Sequence, residues 1–267
     1  MHPTLRWLIP LLVALVAAGG GYYLWQRSHQ AEPQPPTPLP QAPAPPTAAP
    51  AIQHPIGEAS ADAKEVSLPA LGESDKPLRD ALAGVISPAS LEQYFLLDGL
   101  VRRVVATVDA LPRQTVPQRV LPVKSIPGPF ATVGQAEGLL IASQNAARYA
   151  PFVRLAESVD TRKLVAIYVR YYPLFQQAYV ELGYPNGYFN DRLIAAIDDL
   201  LSAPETPDAV PLVQPKVLYA YADPELEALS AGQKTMLRIG NENATRVKAK
   251  LRDIRRALTA KSAQPAP

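Results

Sequence analysis

The N-terminal quarter of the chain contains two segments that cannot form part of a globular core. From Trp7 to Trp25, nineteen residues carry no charge, close to the roughly 20 apolar residues that span a bilayer as a helix. Between Pro33 and Pro55, ten of twenty-three residues are proline. Proline lacks a backbone N–H donor and fixes φ, so this tract cannot build a helix or a sheet. The sequence therefore predicts a membrane segment followed by a tether.

Aromatic residues flank the apolar span, with Trp7 at one end and Trp25 at the other, as is typical of the two membrane interfaces. Residues 1–27 are predicted to be a transmembrane signal-anchor. A slight excess of positive charge before the span predicts a cytoplasmic N-terminus. In a Gram-negative bacterium the protein would then be a single-pass inner-membrane protein with a periplasmic domain. The alternative is a signal peptide cleaved after Ala18.

Residues 28–67 are rich in Pro, Ala, Gln and Thr and carry almost no large apolar side chains. Such a composition cannot bury enough surface to offset the entropy of ordering, so the segment is predicted to be a disordered spacer. A proline-rich docking motif for a partner is the other interpretation. The three histidines of the chain, at positions 2, 29 and 54, all lie in these first two segments.

Residues 68–261 are predicted to form a single, mainly α-helical domain, and residues 262–267 a disordered tail. Apolar residues recur at helical spacing from Leu91 to Val108, which predicts one helix that ends before Pro112. Residues 112–132 contain five prolines and are predicted to be an irregular crossing. Ser74 or Asp75 is predicted to cap a preceding shorter helix.

Six further helices are predicted from spacing and capping residues, one of which begins at Asp223-Pro224-Glu225. Helical spacing resumes near Ser143, and the segment 160–182 carries an aromatic stripe predicted to fill the core. Asn190 is predicted to cap the next helix, and the Ser230–Gln233 pair forms a capping-box pattern. The last helix follows Gly240. Residues 212–221 are the one strand-like run, so the fold has at most a short strand element.

Several sequence blocks occur together in a fixed order. They begin with Arg102-Arg103 leading to Asp109, continue through Tyr172–Pro185 and Phe189-Asn-Asp-Arg-Leu-Ile194, and end with Tyr221–Lys234 and Leu237–Ala244. As a set they resemble an uncharacterised bacterial envelope family, domain of unknown function 3014, over roughly residues 68–257. The resemblance implies the layout of anchor, tether and domain, and it implies no activity.

Residues 68–261 contain neither histidine nor cysteine. This excludes Ser-His-Asp and Cys-His nucleophilic sites from the domain and nearly every zinc or transition-metal site built on imidazole or thiolate. We therefore expect no cofactor. A carboxylate pair that cleaves a cell-wall glycan stays open as the alternative function, with acids Asp191, Asp198, Asp199 and Glu205 near the aromatics Tyr184, Tyr188 and Phe189.

Charge is distributed unevenly along the domain. Residues 68–233 have a net charge of −4, whereas residues 234–261 have a net charge of +7. In the last helix an apolar stripe is flanked by basic residues, which predicts a face for anionic lipid headgroups, an anionic cell-wall polymer or an envelope protein. The alternative is a solvated helix whose cations pair with the acidic remainder. Nucleic acid is not expected as a partner of an anchored domain.

The sequence thus favours a non-catalytic binding, scaffold or regulatory module over an enzyme. Twelve residues are candidates for an interaction site: Arg102, Arg103, Asp109, Tyr184, Asn190, Asp191, Lys234, Arg238, Arg246, Lys248, Lys250 and Arg252. Asp109 is predicted to form an ion pair with Arg102 or Arg103, or to be a helix-terminal acid.

Overall fold

A computed structural model of the chain describes residues 51–56, 67–135, 138–206 and 210–262, all within one unit, Ala49–Pro267. These residues form nine α-helices and two short hairpins, which confirms the mainly helical prediction. The helices are α1 (Asp75–Leu82), α2 (Pro88–Tyr94), α3 (Leu100–Ala110), α4 (Gln144–Ser158), α5 (Thr161–Glu181), α6 (Phe189–Leu201), α7 (Pro224–Glu227), α8 (Ala231–Arg238) and α9 (Asn241–Ser262).

Helix α5 lies at the centre of the domain and packs against α1, α3, α6 and α9. Its aromatic stripe fills the core as predicted, with Tyr171, Phe175 and Tyr179 buried. The ring of Phe175 stacks on that of Phe189 in α6, with centroids 5.7 Å apart. On another side of α5, Val165 and Val169 pack with side chains of α6 and with Leu258 of α9. The helix is thus covered by apolar side chains on two sides.

The single helix predicted from Leu91 to Val108 is wrong, because the chain breaks between α2 and α3. Phe95 is extended and forms an isolated bridge with Val123 of the proline-rich crossing. Gly99 then adopts a left-handed conformation with φ of 64°, which glycine tolerates without a Cβ clash. The apolar spacing continues across the break, which hides it in the sequence.

Asp75 caps α3 instead of its own helix. Its carboxylate accepts from the N–H groups of Gly99, at 2.7 Å, and Leu100, at 3.1 Å. Gly99 has no side chain with which to cap α3, so the acid of α1 does so across 24 residues. Ser74 makes no side-chain cap for α1, since its hydroxyl donates to the carbonyl of Leu71.

Other helix ends match their predicted signals in part. The Ser230–Gln233 capping box is present, and Gly240 has a φ of 82° before α9. The predicted cap Asn190 is wrong, because it is the second residue of α6 and Tyr188 holds the cap position.

The strand content consists of two antiparallel hairpins. Strand β1 (Thr132–Val133) pairs with β2 (Leu140–Ile141), and β3 (Leu212–Val213) pairs with β4 (Ala220–Tyr221). The single strand-like run predicted from 212 to 221 is therefore a hairpin, with Pro215 in its connection. Residues 112–131 form the predicted irregular crossing, apart from a single 3-10 turn, Gln118–Val120.

Among the described residues, none of the helices combines the length and apolar character needed to cross a bilayer. The predicted span, residues 7–25, lies outside the described residues, as does most of the predicted tether.

We expect the substitution Asp75→Ala to lower the free energy of unfolding by about 1 kcal/mol, because it leaves the first N–H groups of α3 without their acceptor. Chemical denaturation measures this value. Asp80→Ala is the matched control, since Asp80 lies on the same helix and forms only an exposed ion pair with Lys76. Equal effects of the two substitutions would contradict the capping role.

Candidate functional site

Residues 51–56 lie against the domain, although the sequence placed them within the disordered tether. The carboxylate of Asp191 accepts from the backbone N–H groups of Gln53, at 3.0 Å, and His54, at 2.7 Å. The side-chain amide of Asn190 donates to the carbonyl of His54 at 2.8 Å. Ile56 packs on the apolar cluster around Val165 and Leu258. Two predicted interaction residues therefore bind a segment of the chain itself.

Asp109 is buried and lies at the centre of an ionic cluster. Its side chain bonds to Arg113 at 2.7 Å and to Arg192 at 3.1 Å, and the Tyr184 hydroxyl donates to it at 3.3 Å. The hydrogen bond to Asp109 raises the pKa of the Arg113 guanidinium above its ordinary value. The cluster links the end of α3 to α6 and to the turn after α5.

The predicted pairing of Asp109 with Arg102 or Arg103 is wrong. Arg102 forms an exposed ion pair with Glu181 at 3.0 Å. Arg103 donates to the carbonyls of Asp98, at 2.9 Å, and Arg119, at 2.7 Å, and so fixes the proline-rich crossing. Arg102 and Arg103 on α3 thus have partners other than Asp109. The partners of Asp109 are Arg113, which follows the helix, and Arg192, which is distant in sequence.

Three of the four acids considered for glycan cleavage, Asp191, Asp198 and Asp199, are held by partners within the chain. Asp198 pairs with Arg255 at 2.6 Å, and Asp199 accepts from the Ser230 hydroxyl at 2.7 Å. Asp191 and Asp198 are seven residues apart on one helix, a rise of about 10.5 Å, which exceeds the usual separation of a glycosidase pair. The described geometry does not unite these acids in one cleft.

The basic residues near the C-terminus are largely bonded to the domain. Lys234 is buried and pairs with Glu227 at 3.1 Å. In α9, Arg246 pairs with Glu157, Lys248 donates to the carbonyl of Ala203 at 2.6 Å, and Lys250 donates to that of Val159. Arg238 and Arg252 are exposed. The predicted outward-facing basic surface is therefore smaller than the sequence indicates.

An apolar cavity of about 490 Å³ lies between the helices. Its walls come from α1, α2, α3, α4, α5, α6 and α9 and from the segments that join them. They include Leu78, Leu82, Leu91, Phe95, Val104, Val123, Phe152, Ala156, Val165, Phe175, Leu193, Ile254 and Leu258. Among the described lining residues, Lys250 supplies the one charged group and Tyr168 the one hydroxyl. Burial raises the pKa of that hydroxyl, so it stays neutral.

A family model described as "Protein of unknown function (DUF3014)" matches residues 100–255, more than half of the chain. The chain belongs to the DUF3014 family. The resemblance found in the motifs is thereby confirmed. The matched region of the DUF3014 family begins at α3 and contains Asp109, Asn190, Asp191 and Lys250, whereas α1 and α2, which close one side of the cavity, precede it. No curated protein and no solved structure matches the chain.

This DUF3014 domain offers a binding site more readily than a reactive one. A volume of 490 Å³ is that of a small-molecule pocket, and such pockets are mostly apolar with few polar groups. The described residues contain no group of three or more His, Cys, Asp or Glu side chains placed to hold a metal ion. The cavity is large and apolar enough to accommodate a hydrocarbon chain. The one charged side chain in its described lining, Lys250, is a cation.

We expect Asp109→Asn to lower the free energy of unfolding by about 2 kcal/mol, because it removes one member of a largely buried ion pair and leaves Arg192 uncompensated. The reference is Asp198→Asn, which breaks a more exposed pair with Arg255 and should cost at most about 0.5 kcal/mol. Urea denaturation of both variants provides the comparison. If Asp109→Asn is as mild as Asp198→Asn, the cluster is not a structural centre.

Proposed function

We propose that this domain is a non-catalytic binding module for an amphiphile with one apolar chain and an anionic headgroup. The apolar chain occupies the cavity, and the headgroup lies beside Lys250. The observation that carries the proposal is the cavity itself, whose 490 Å³ are lined by apolar side chains together with one ammonium group.

The lining accounts for the affinity expected of the apolar chain. Each methylene transferred from water into such surroundings contributes about 0.8 kcal/mol. The described walls present almost no hydrogen-bonding groups, so a polar ligand would lose its bonds to water without replacement. A ligand that fits this cavity is therefore a hydrocarbon chain.

The ammonium group of Lys250 is the reason that the proposed headgroup carries a negative charge. An ammonium carries three N–H donors, and the bond to the Val159 carbonyl uses one of them. An anionic headgroup at this point meets a charged donor.

We also propose that residues 7–25 anchor the chain in the inner membrane with a cytoplasmic N-terminus. The domain then works in the periplasm beside a lipid surface. Its support is the uncharged span and the aromatic residues at both ends. A membrane surface supplies amphiphiles of the proposed class.

We expect dodecanoate to bind the purified protein, as measured by isothermal titration calorimetry. Shortening the chain by two methylenes should weaken binding about tenfold, and dodecyltrimethylammonium should bind more weakly than dodecanoate because its headgroup is a cation. If acids and cations of all chain lengths bind alike, or none binds, the proposal is wrong.

Two matched pairs of variants locate the binding in the cavity. Ala156→Trp places an indole in the cavity and should abolish dodecanoate binding, whereas Ala147→Trp changes an exposed position of the same helix and should leave it intact. The second pair tests the headgroup contact, and here Lys250→Ala should weaken dodecanoate binding about tenfold. Lys248→Ala is its control, because Lys248 also donates to a carbonyl but does not line the cavity.

A further inference from the structure

Asn190 and Asp191 contact residues 53–54 through main-chain atoms alone. Asp191 accepts two consecutive N–H groups, and Asn190 donates to the carbonyl of the second residue. Gln53 and His54 lie in a bend of the chain, and this bend lets two consecutive N–H groups face one carboxylate. Each of these three bonds would be available from any segment with the same bend and without proline at the two donor positions. The pair thus recognises a bent backbone that presents successive amides to an anion.

The orientation of Asn190 is fixed by its surroundings. Its side chain is 1% exposed, and its oxygen accepts from the Tyr168 hydroxyl at 3.2 Å, which turns the amide nitrogen toward His54. The side chain of Gln176 in α5 holds the start of α6, because it accepts from the Phe189 N–H at 2.8 Å and donates to the Gly187 carbonyl at 2.7 Å. The side-chain amide of Asn190 is therefore oriented for donation by contacts within the domain.

Ile56 adds a side-chain contact to this backbone recognition. It packs on the apolar cluster that contains Val165, Ile194 and Leu258, while Ile52 is 46% exposed. Of the two isoleucines in the segment, the second is the one in contact with the domain. A ligand of the site is thus a peptide that bends at the two clamped amides and has an aliphatic residue three positions after the first of them.

We propose that Asn190 and Asp191 form a peptide-binding site, that residues 53–56 of the same chain occupy it, and that a peptide with the same bend takes their place when they are displaced. Ten residues, 57–66, separate the segment from the start of the domain. So short a connection gives an effective concentration on the order of millimolar. The chain's own segment therefore outcompetes a free peptide at micromolar concentration.

This site is distinct from the proposed amphiphile site, although the two share a wall. Val165 and Leu258 contact Ile56 on the one hand and line the cavity on the other. The clamp consists of hydrogen bonds to main-chain atoms, so its existence does not depend on what the cavity binds. Each site can fail its test while the other stands.

The test uses the full chain with His54→Pro, which removes the N–H that Asp191 accepts at 2.7 Å and places the proline ring against that carboxylate. His54→Ala is the matched control, because it retains the N–H. Hydrogen exchange should show the Gln53 and His54 amides protected in the wild type, the same amides protected in His54→Ala, and the Gln53 amide unprotected in His54→Pro.

A labelled peptide with the sequence of residues 50–57 then probes the site by fluorescence anisotropy. It should bind His54→Pro and should bind the wild type at least about tenfold more weakly, because the wild-type segment competes. In the His54→Pro background, Asp191→Ala should remove peptide binding and Asp191→Asn should weaken it, since an amide keeps one acceptor oxygen. Asp198→Ala in the same background should leave binding unchanged.

Three results would overturn the proposal: unprotected Gln53 and His54 amides in the wild type, equal peptide binding by the wild type and His54→Pro, or peptide binding that survives Asp191→Ala. Circular dichroism of each variant confirms that the helices are retained. Dodecanoate binding measured on the same samples reports separately on the cavity.

Discussion

The arrangement of this domain depends on a helix that is apolar on two sides. Helix α5 presents Tyr171, Phe175 and Tyr179 to α1, α3 and α6, and it presents Val165 and Val169 to α6 and α9. Burying both sides requires neighbours in more than one direction, since each exposed aliphatic or aromatic side chain would forfeit about 1.5–3 kcal/mol. The cavity lies where these neighbours meet around α5, and seven of the described helices, α5 among them, contribute to its wall.

Ionic and capping contacts join segments that are distant in sequence. Asp109 holds α3 to α6 through Arg192, and Asp75 holds α1 to the start of α3. Asp191 joins residues 53–54 to α6 in the same manner, with a carboxylate that accepts from backbone N–H groups. The candidate interaction acids thus act within the chain.

Local signals in the sequence predict most of the helices, but they do not predict which distant residues contact one another. The capping box at Ser230 and the aromatic stripe of α5 depend on residues a few positions apart, and both are confirmed. The break at Gly99 was missed because apolar spacing continues through it, and Asn190 was misassigned because its partners, Tyr168 and His54, are distant in sequence. The cavity has no local signature, since its walls combine side chains from residue 78 to residue 258. Ile56, an isolated aliphatic residue after the proline-rich tract, was the available sign that this tract meets the domain.

The most direct test of the proposed function is whether a bound alkyl chain lies inside the helices. Dodecanoate labelled with ¹³C at its methylenes can be added to the full chain with labelled methyl groups, and nuclear Overhauser contacts can be recorded by NMR. We predict contacts from the methylenes to the methyl groups of Val165, Leu193 and Leu258 and from the carboxylate end to Lys250. Contacts confined to exposed side chains such as Val217, with none to the cavity lining, would contradict the proposal.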